Sequence, residues 1–143
     1  MKRFSFRLES LRGLREQAEE QAKLRLAQEL AAEAGERERL VAAASRLALA
    51  RAAARGGSGV ALAARQAYIE RCERVVAEVA AALTLQQQLV HAAREALAEA
   101  AREREALERL RERGLAQHEL EARRAEDDAL GEVGLAAHRR KVA

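Results

Sequence analysis

Proline is missing altogether from these 143 residues, tryptophan is missing too, and the aromatic set is limited to Phe4, Phe6 and Tyr68. Without proline nothing forces a helix to stop, and without bulky aromatic fillers or many β-branched residues a globular core or a β-sheet has little to be built from. Cys72 is the one cysteine, which excludes an internal disulfide framework and, with no secretory signal, favours a reducing cytoplasm. No stretch approaches about 18 uncharged apolar residues. Even the alanine-rich run from Val75 to Leu85 contains Glu78, so no membrane-spanning segment is expected. The Arg-rich first fifteen residues resemble a transit peptide, but Glu9 and the uninterrupted continuation into helix argue against removal. Glycine is scarce, and its one cluster is Gly56-Gly57-Ser58-Gly59.

What fills the chain is helix-forming material: Ala, Leu, Glu, Lys and Arg supply 103 of the 143 residues, all with high helix propensity. The glycine cluster divides two such stretches. The expected fold is therefore all-α, an antiparallel two-helix coiled-coil hairpin treated as a single domain over 1–143. Helix 1 is predicted over about 8–55, the turn over 56–59, helix 2 over about 60–130 and a basic tail over 131–143. Gly131 and Gly134 are read as closing the helical pattern ahead of His138, Arg139, Arg140 and Lys141. The 26 basic and 23 acidic side chains leave a net charge of +3, and their interleaving along both arms marks solvated helix faces and not a nucleic-acid footprint.

The second arm carries a heptad from its first turn. Leu62, Ile69, Val76, Leu83, Val90 and Leu97 occupy one seam position and Cys72, Val79, Ala93, Ala100 and Leu107 the other, which is coiled-coil spacing. Arg65, Gln86 and Arg104 interrupt it, with stems able to lie on the seam and heads in water, and Gln86 is a candidate for fixing the register. The first arm reads more loosely, through Leu8, Leu11, Leu14, Ala18, Ala22, Leu26, Leu30, Leu40, Ala44 and Leu47, close to a 3.6 period and with limited supercoiling. Folding at the glycines sets residue i opposite roughly 115 − i, so that Ala93 falls beside Ala22, and Phe4 and Phe6 fall beside Leu107 and Leu110. Helix 2 then outruns its partner near Gly114, with Leu115, Leu120, Ala122, Ala129 and Leu130 in a fragmentary apolar spacing. A parallel homodimer and exchange of the second arm remain structural alternatives.

Nothing in the pattern resembles catalytic machinery. There is no phosphate-binding glycine loop, nucleophile elbow or metal motif, so no enzyme activity, cofactor or metal is expected. His91, His118 and His138 lack helical partners at ligand spacing and read as solvated. Glu126, Asp127 and Asp128 diverge around the helix axis, and Cys72 reads as a small buried hydrophobe. One feature exceeds what a two-stranded seam needs: a third apolar row, Tyr68, Val75, Ala82, Leu89 and Ala96, runs beside it. It is either a docking face, centred on Tyr68, Cys72, Val75 and Val79 with Leu40 and Leu47, or the broad stripe of an alanine-rich helix.

The opening Lys2-Arg3-Phe4-Ser5-Phe6-Arg7-Leu8-Glu9-Ser10-Leu11, followed by Leu14-Arg15-Glu16, Glu19 and Ala22, resembles that of the flagellar export protein FliJ family. The likeness extends through the glycine turn, the Ala67-Tyr68-Ile69 entry to the second helix, Leu107-Glu108-Arg109-Leu110 and the closing Asp127-Asp128-Ala129-Leu130-Gly131-Glu132-Val133. It implies a non-enzymatic stalk of the flagellar type III export apparatus, hence a role in motility, located in the cytoplasm at the inner-membrane face of that apparatus. The implied partners are the hexameric export ATPase, whose pore receives the end bearing both termini (Phe4, Phe6, Leu110, Leu115, Leu120 and Arg123), the export gate protein FlhA, and export chaperones. The implied gate positions are Tyr68, Cys72, Val75 and Val79 with Leu40 and Leu47, although only Tyr68 is aromatic. A generic cytoplasmic interaction rod fits the same helix pattern, and a nucleic-acid binder is disfavoured by the interleaved acids.

Overall fold

The computed structural model describes residues 3–53 and 56–142. Lys2 of the opening motif, Ala54 and Arg55 at the expected end of helix 1, and Ala143 lie outside the described residues. Two helices, α1 (Glu9–Ala52) and α2 (Gly59–Val142), account for nearly all of the rest, with no strand among the described residues. They pack against each other as an all-α antiparallel hairpin, as the composition requires.

The turn is built by three devices. Gly57 adopts φ +122°, in the left-handed region, where a Cβ would also sit 3.1 Å from that of Ala61; this is a position for glycine alone. Ser58 then caps α2: its carbonyl accepts from Leu62 N–H at 3.0 Å and its Oγ from Ala61 N–H at 3.4 Å. The end of α1 leaves carbonyls without helical partners. Arg65 closes it by donating from its guanidinium to the carbonyls of Ala50 (3.4 Å), Arg51 (3.0 Å) and Ala53 (3.2 Å). The expectation that the Arg65 head lies in water is thus corrected, since the carbonyls at the end of α1 are a better partner for a cation than solvent.

Helix 1 stops at Ala52, short of the predicted Arg55, and residues 59–64 are all exposed because α1 no longer flanks them. Leu62, expected on the seam, is accordingly 47% exposed. At the other end α2 does not stop near residue 130. It continues through Gly131 and Gly134 to Val142, because an isolated helical glycine costs only about 1 kcal/mol against alanine and no proline follows.

The helices form two compact units, residues 19–99 and residues 3–18 with 100–142. In the first, the α2 seam keeps to the predicted heptad: Ile69, Val90 and Ala93 are buried and Cys72, Val76, Val79, Leu83, Gln86 and Leu97 half-buried. Gln86 holds the register by donating to the Glu29 carbonyl (3.1 Å) and to Glu29 Oε2 (2.7 Å). The facing row on α1 is as strict, and different from the one predicted. Glu19, Ala22, Leu26, Glu29, Glu33, Glu36, Leu40, Ala43, Leu47 and Ala50 alternate by three and four, all buried or half-buried, while Leu30 and Ala44 are exposed. Four seam positions are therefore carboxylates. Their stems lie on the seam, and their heads pair along α1 with cations that stay in water: Glu19 with Lys23, Glu29 with Arg25, Glu33 with Arg37 and Glu36 with Arg39.

Glu33 is the most buried of the four, at 8% exposure, and its Arg37 partner is exposed. A buried carboxylate retains little net stabilisation against a well-packed apolar side chain. Glu33→Leu is expected to stabilise the hairpin by about 1–2 kcal/mol, read as a thermal midpoint several degrees higher by circular dichroism. A lower midpoint would show that the ion pair outweighs its desolvation.

In the second unit the seam row of α2 continues as Ala100, Arg104, Leu107, Arg111, Gly114 and His118. Cross-helix ion pairs flank the buried Leu107: Arg15 with Glu103, Arg12 with Glu108 (3.5 Å) and Arg111 with Glu9 (3.7 Å). The numbers of the facing pair Arg15 and Glu103 add to 118, three beyond the predicted 115 that Glu29 and Gln86 satisfy. The sum is already 115 at Glu29 and Gln86, so the three-residue difference arises along the helices and not in the turn. From Glu119 to Val142 every residue of α2 except Ala122 is exposed, so the overhang is real and longer than expected.

Candidate partner-binding faces

One face belongs to residues 19–99. Tyr68, Cys72 and Val75 of α2 form the floor of a concavity of about 180 Å³, flanked by Ala43 and Arg46 of α1 and by Arg71. It adjoins a larger one of about 480 Å³ in which Val75, Val79 and Ala82 face Ala42, Ala43 and Arg46, with Glu36, Arg39 and Glu78 at its margins. The third apolar row thus opens into a groove. Tyr68 and Leu89 are exposed and Val75 is 44% exposed, while Ala82 is half-buried. The Arg71 guanidinium lies 5.8 Å from the centre of the Tyr68 ring, a cation–π distance that braces the ring at the rim. Glu36 Oε1 accepts from Arg39 at 2.9 Å, while Oε2 is enclosed without a hydrogen-bond partner. Cys72 is half-buried on this floor.

Of the six residues singled out in the sequence for this face, Tyr68, Cys72, Val75 and Val79 are brought together. Leu40 and Leu47 are half-buried seam residues and line neither concavity. The α1 side of the groove is made instead by Ala42, Ala43, Arg39 and Arg46, which sequence reading passed over. Its only signal was the seven-residue interval between the two arginines.

The other face belongs to the second unit. Residues 3–8 are not helical and lie against α2, where Phe4 stacks edge-on against His118 with ring centres 5.7 Å apart and an interplanar angle of 63°. A Cβ at Gly114 would sit 3.5 Å from Phe4 Cε2 and Cζ, so the ring rests on the helix at that glycine. Phe4 therefore packs at Gly114 and His118, beyond the Leu107 and Leu110 level predicted for the two rings, and His118, expected to be solvated, is half-buried. Phe6 shares with Phe4, Leu8, Leu110 and Gly114 a concavity of about 500 Å³. The Arg12 guanidinium, bonded to Glu9 and Glu16 at 2.6 Å each, holds the Glu9 carboxyl below its ordinary range and is itself pushed up. Leu115 is half-buried, whereas Leu110, Leu120 and Arg123 are exposed.

Among the described residues no group of three or more His, Cys, Asp or Glu is placed to hold a metal ion, and no helix is long and apolar enough to cross a membrane. The family model described as Flagellar FliJ protein matches residues 4–143. No curated protein and no solved structure matches the chain.

Proposed function

The chain belongs to the flagellar FliJ family and is a component of the flagellar export apparatus; within it, we propose that it is a non-enzymatic stalk joining the hexameric export ATPase to the export gate. The observation that carries this reading is the presence of two unlike faces, each in its own unit, on one helical hairpin. The unit holding both termini ends in an unpartnered helix, residues 119–142, beside the Phe4–His118 contact. This is the part assigned to the ATPase ring, with Phe4, Phe6, Leu110, Leu115, Leu120 and Arg123. The groove on residues 19–99 is the part assigned to the gate protein FlhA, through Tyr68, Cys72, Val75 and Val79. Leu40 and Leu47 support that face from the seam. Such a protein works in the cytoplasm at the inner-membrane face of the apparatus, with export chaperones as further partners.

The gate assignment is tested by Tyr68→Ala and Val75→Glu. Both positions are solvent-facing enough to leave the hairpin folded, so helicity and thermal midpoint stay near the parent values. Each is expected to weaken binding of the FlhA cytoplasmic region by roughly ten-fold or more, which corresponds to about 1.4 kcal/mol, measured by calorimetry or fluorescence anisotropy. Unchanged affinity in both variants would remove this face from the gate contact.

A further inference from the structure

The groove on residues 19–99 has a period. Its floor residues Tyr68, Val75, Ala82, Leu89 and Ala96 recur every seven positions of α2, the interval at which a helix of a coiled coil meets a neighbour. Concavities track this row at Tyr68 and Cys72, at Val79 and Ala82, and again at Leu89, Ala93 and Ala96, where a space of about 290 Å³ lies against Ala22 and Arg25. The row already used for α1 lies beside it, so α2 presents two adjacent seams and α1 fills one.

The walls are charged and unevenly satisfied. Arg25 and Arg39 pair with Glu29 and Glu36 of their own helix. Among the described residues neither Arg46 nor Arg71 has an ion pair, and Arg71 rests on the Tyr68 ring; Glu78, at the margin of the larger concavity, has none either. These two guanidiniums flank the concavity of about 180 Å³ from opposite helices.

We propose that this groove is the seat of a third α-helix, supplied by another protein, whose apolar residues recur every seven and whose flanks carry carboxylates that meet Arg46 and Arg71. A strand alternates every two residues and cannot match a seven-residue row, whereas a helix does so with one side chain per two turns. From Tyr68 to Ala96 the floor runs about 42 Å at 1.5 Å per residue, room for about eight turns. Glutamate or aspartate one turn from the side chain seated over Cys72 and Val75 would form the charge-assisted hydrogen bonds that Arg46 and Arg71 now lack. The inference rests on the reading of this face as a docking face and adds to it the secondary structure and charge of what docks.

The probe is a three-heptad peptide, monomeric at assay concentrations, with leucine at seven-residue intervals and glutamate on both flanks, compared with a peptide of the same apolar pattern flanked by lysine. The full chain is expected to bind the glutamate peptide at least ten-fold more tightly and to raise its helical content. Arg46→Glu combined with Arg71→Glu reverses the preference, and Val75→Glu abolishes binding of both peptides. Equal affinity for the two peptides, binding of neither, or indifference to Val75→Glu overturns the proposal. So does a concentration-dependent dimer of the chain, dispersed by Val75→Glu in sedimentation, because the groove would then belong to a second copy. Gate binding measured on the same variants separates the two readings. If Tyr68→Ala weakens the gate contact while the peptides go undistinguished, the gate assignment stands and the helix does not.

Discussion

Val90→Asp unfolds the hairpin at temperatures where the parent is fully helical. Val90 is 3% exposed, the most completely covered apolar residue among the buried core positions, and it belongs to the α2 seam of residues 19–99. Aspartate there removes the valine contacts and places a carboxylate on the seam on a stem too short to carry its charge out to water. The expected loss is about 3–5 kcal/mol, a large share of the roughly 5–15 kcal/mol that holds an ordinary domain together. The seam carboxylates Glu19, Glu29, Glu33 and Glu36 show the contrast. Glutamate is tolerated on α1 because its longer stem reaches past the seam to a cation one turn away on the same helix, as Glu33 does to Arg37 at 2.6 Å. Aspartate at 90 has a shorter stem, which keeps its carboxylate on the seam and short of Arg94 one turn on. Thermal melting monitored at 222 nm reads the effect as a drop in midpoint on the order of ten degrees or more, at roughly 3–4 °C per kcal/mol for a chain of this length. A drop of only a few degrees would mean that the seam does not carry the stability assigned to it.

Removing residues 119–142 separates function from fold. Apart from half-buried Ala122 this segment is exposed throughout, with Leu130 70% exposed and Leu135 and Val142 similarly open. Its deletion therefore takes almost nothing from the core and leaves the Phe4–His118 contact, the Gly114 seat and the Arg12, Glu9 and Arg111 network in place. The melting midpoint should fall by no more than a few degrees. Binding to the hexameric ATPase should weaken by at least about ten-fold, equivalent to roughly 1.4 kcal/mol. A helix of 24 residues interrupted by Gly131 and Gly134 is marginal in water without a partner, and in the proposed reading a partner along this segment covers its exposed Leu120, Leu130 and Val133. If the truncated chain binds the ring as the full chain does, the contact must be made by Phe6, Leu110 and Leu115 alone.

The parts of the fold that were legible in the sequence are those where hydrophobicity and geometry coincide. The glycine cluster could be read as the turn because Gly57 needs a positive φ and Ser58 caps α2. The α2 seam could be read because Ile69, Val76, Leu83, Val90 and Leu97 are apolar at every step. The α1 seam escaped because carboxylates occupy it. A search for leucines slides onto exposed neighbours such as Leu14 and Leu30, when the true row passes through Glu29 and Glu33. Arg65 was misjudged because its partners are backbone carbonyls, which carry no residue signature. Phe4 on His118 was missed because residues 3–8 are not helical, so helical register does not extend to them. For the groove, the floor residues Tyr68, Cys72, Val75 and Val79 were legible as a surplus apolar row. The wall residues Arg39 and Arg46 were not, since arginines on a charged helix look alike until the fold shows which of them border a concavity.

In the proposed reading one chain has a helix end for an ATPase ring in one unit and a groove for the export gate in the other. ATP hydrolysis by the purified hexameric export ATPase, titrated with the full-length chain, tests this most directly. The expected result is stimulation that saturates near one chain per hexamer and is lost when residues 119–142 are absent. Hydrolysis that does not respond to the full-length chain at any ratio would contradict it.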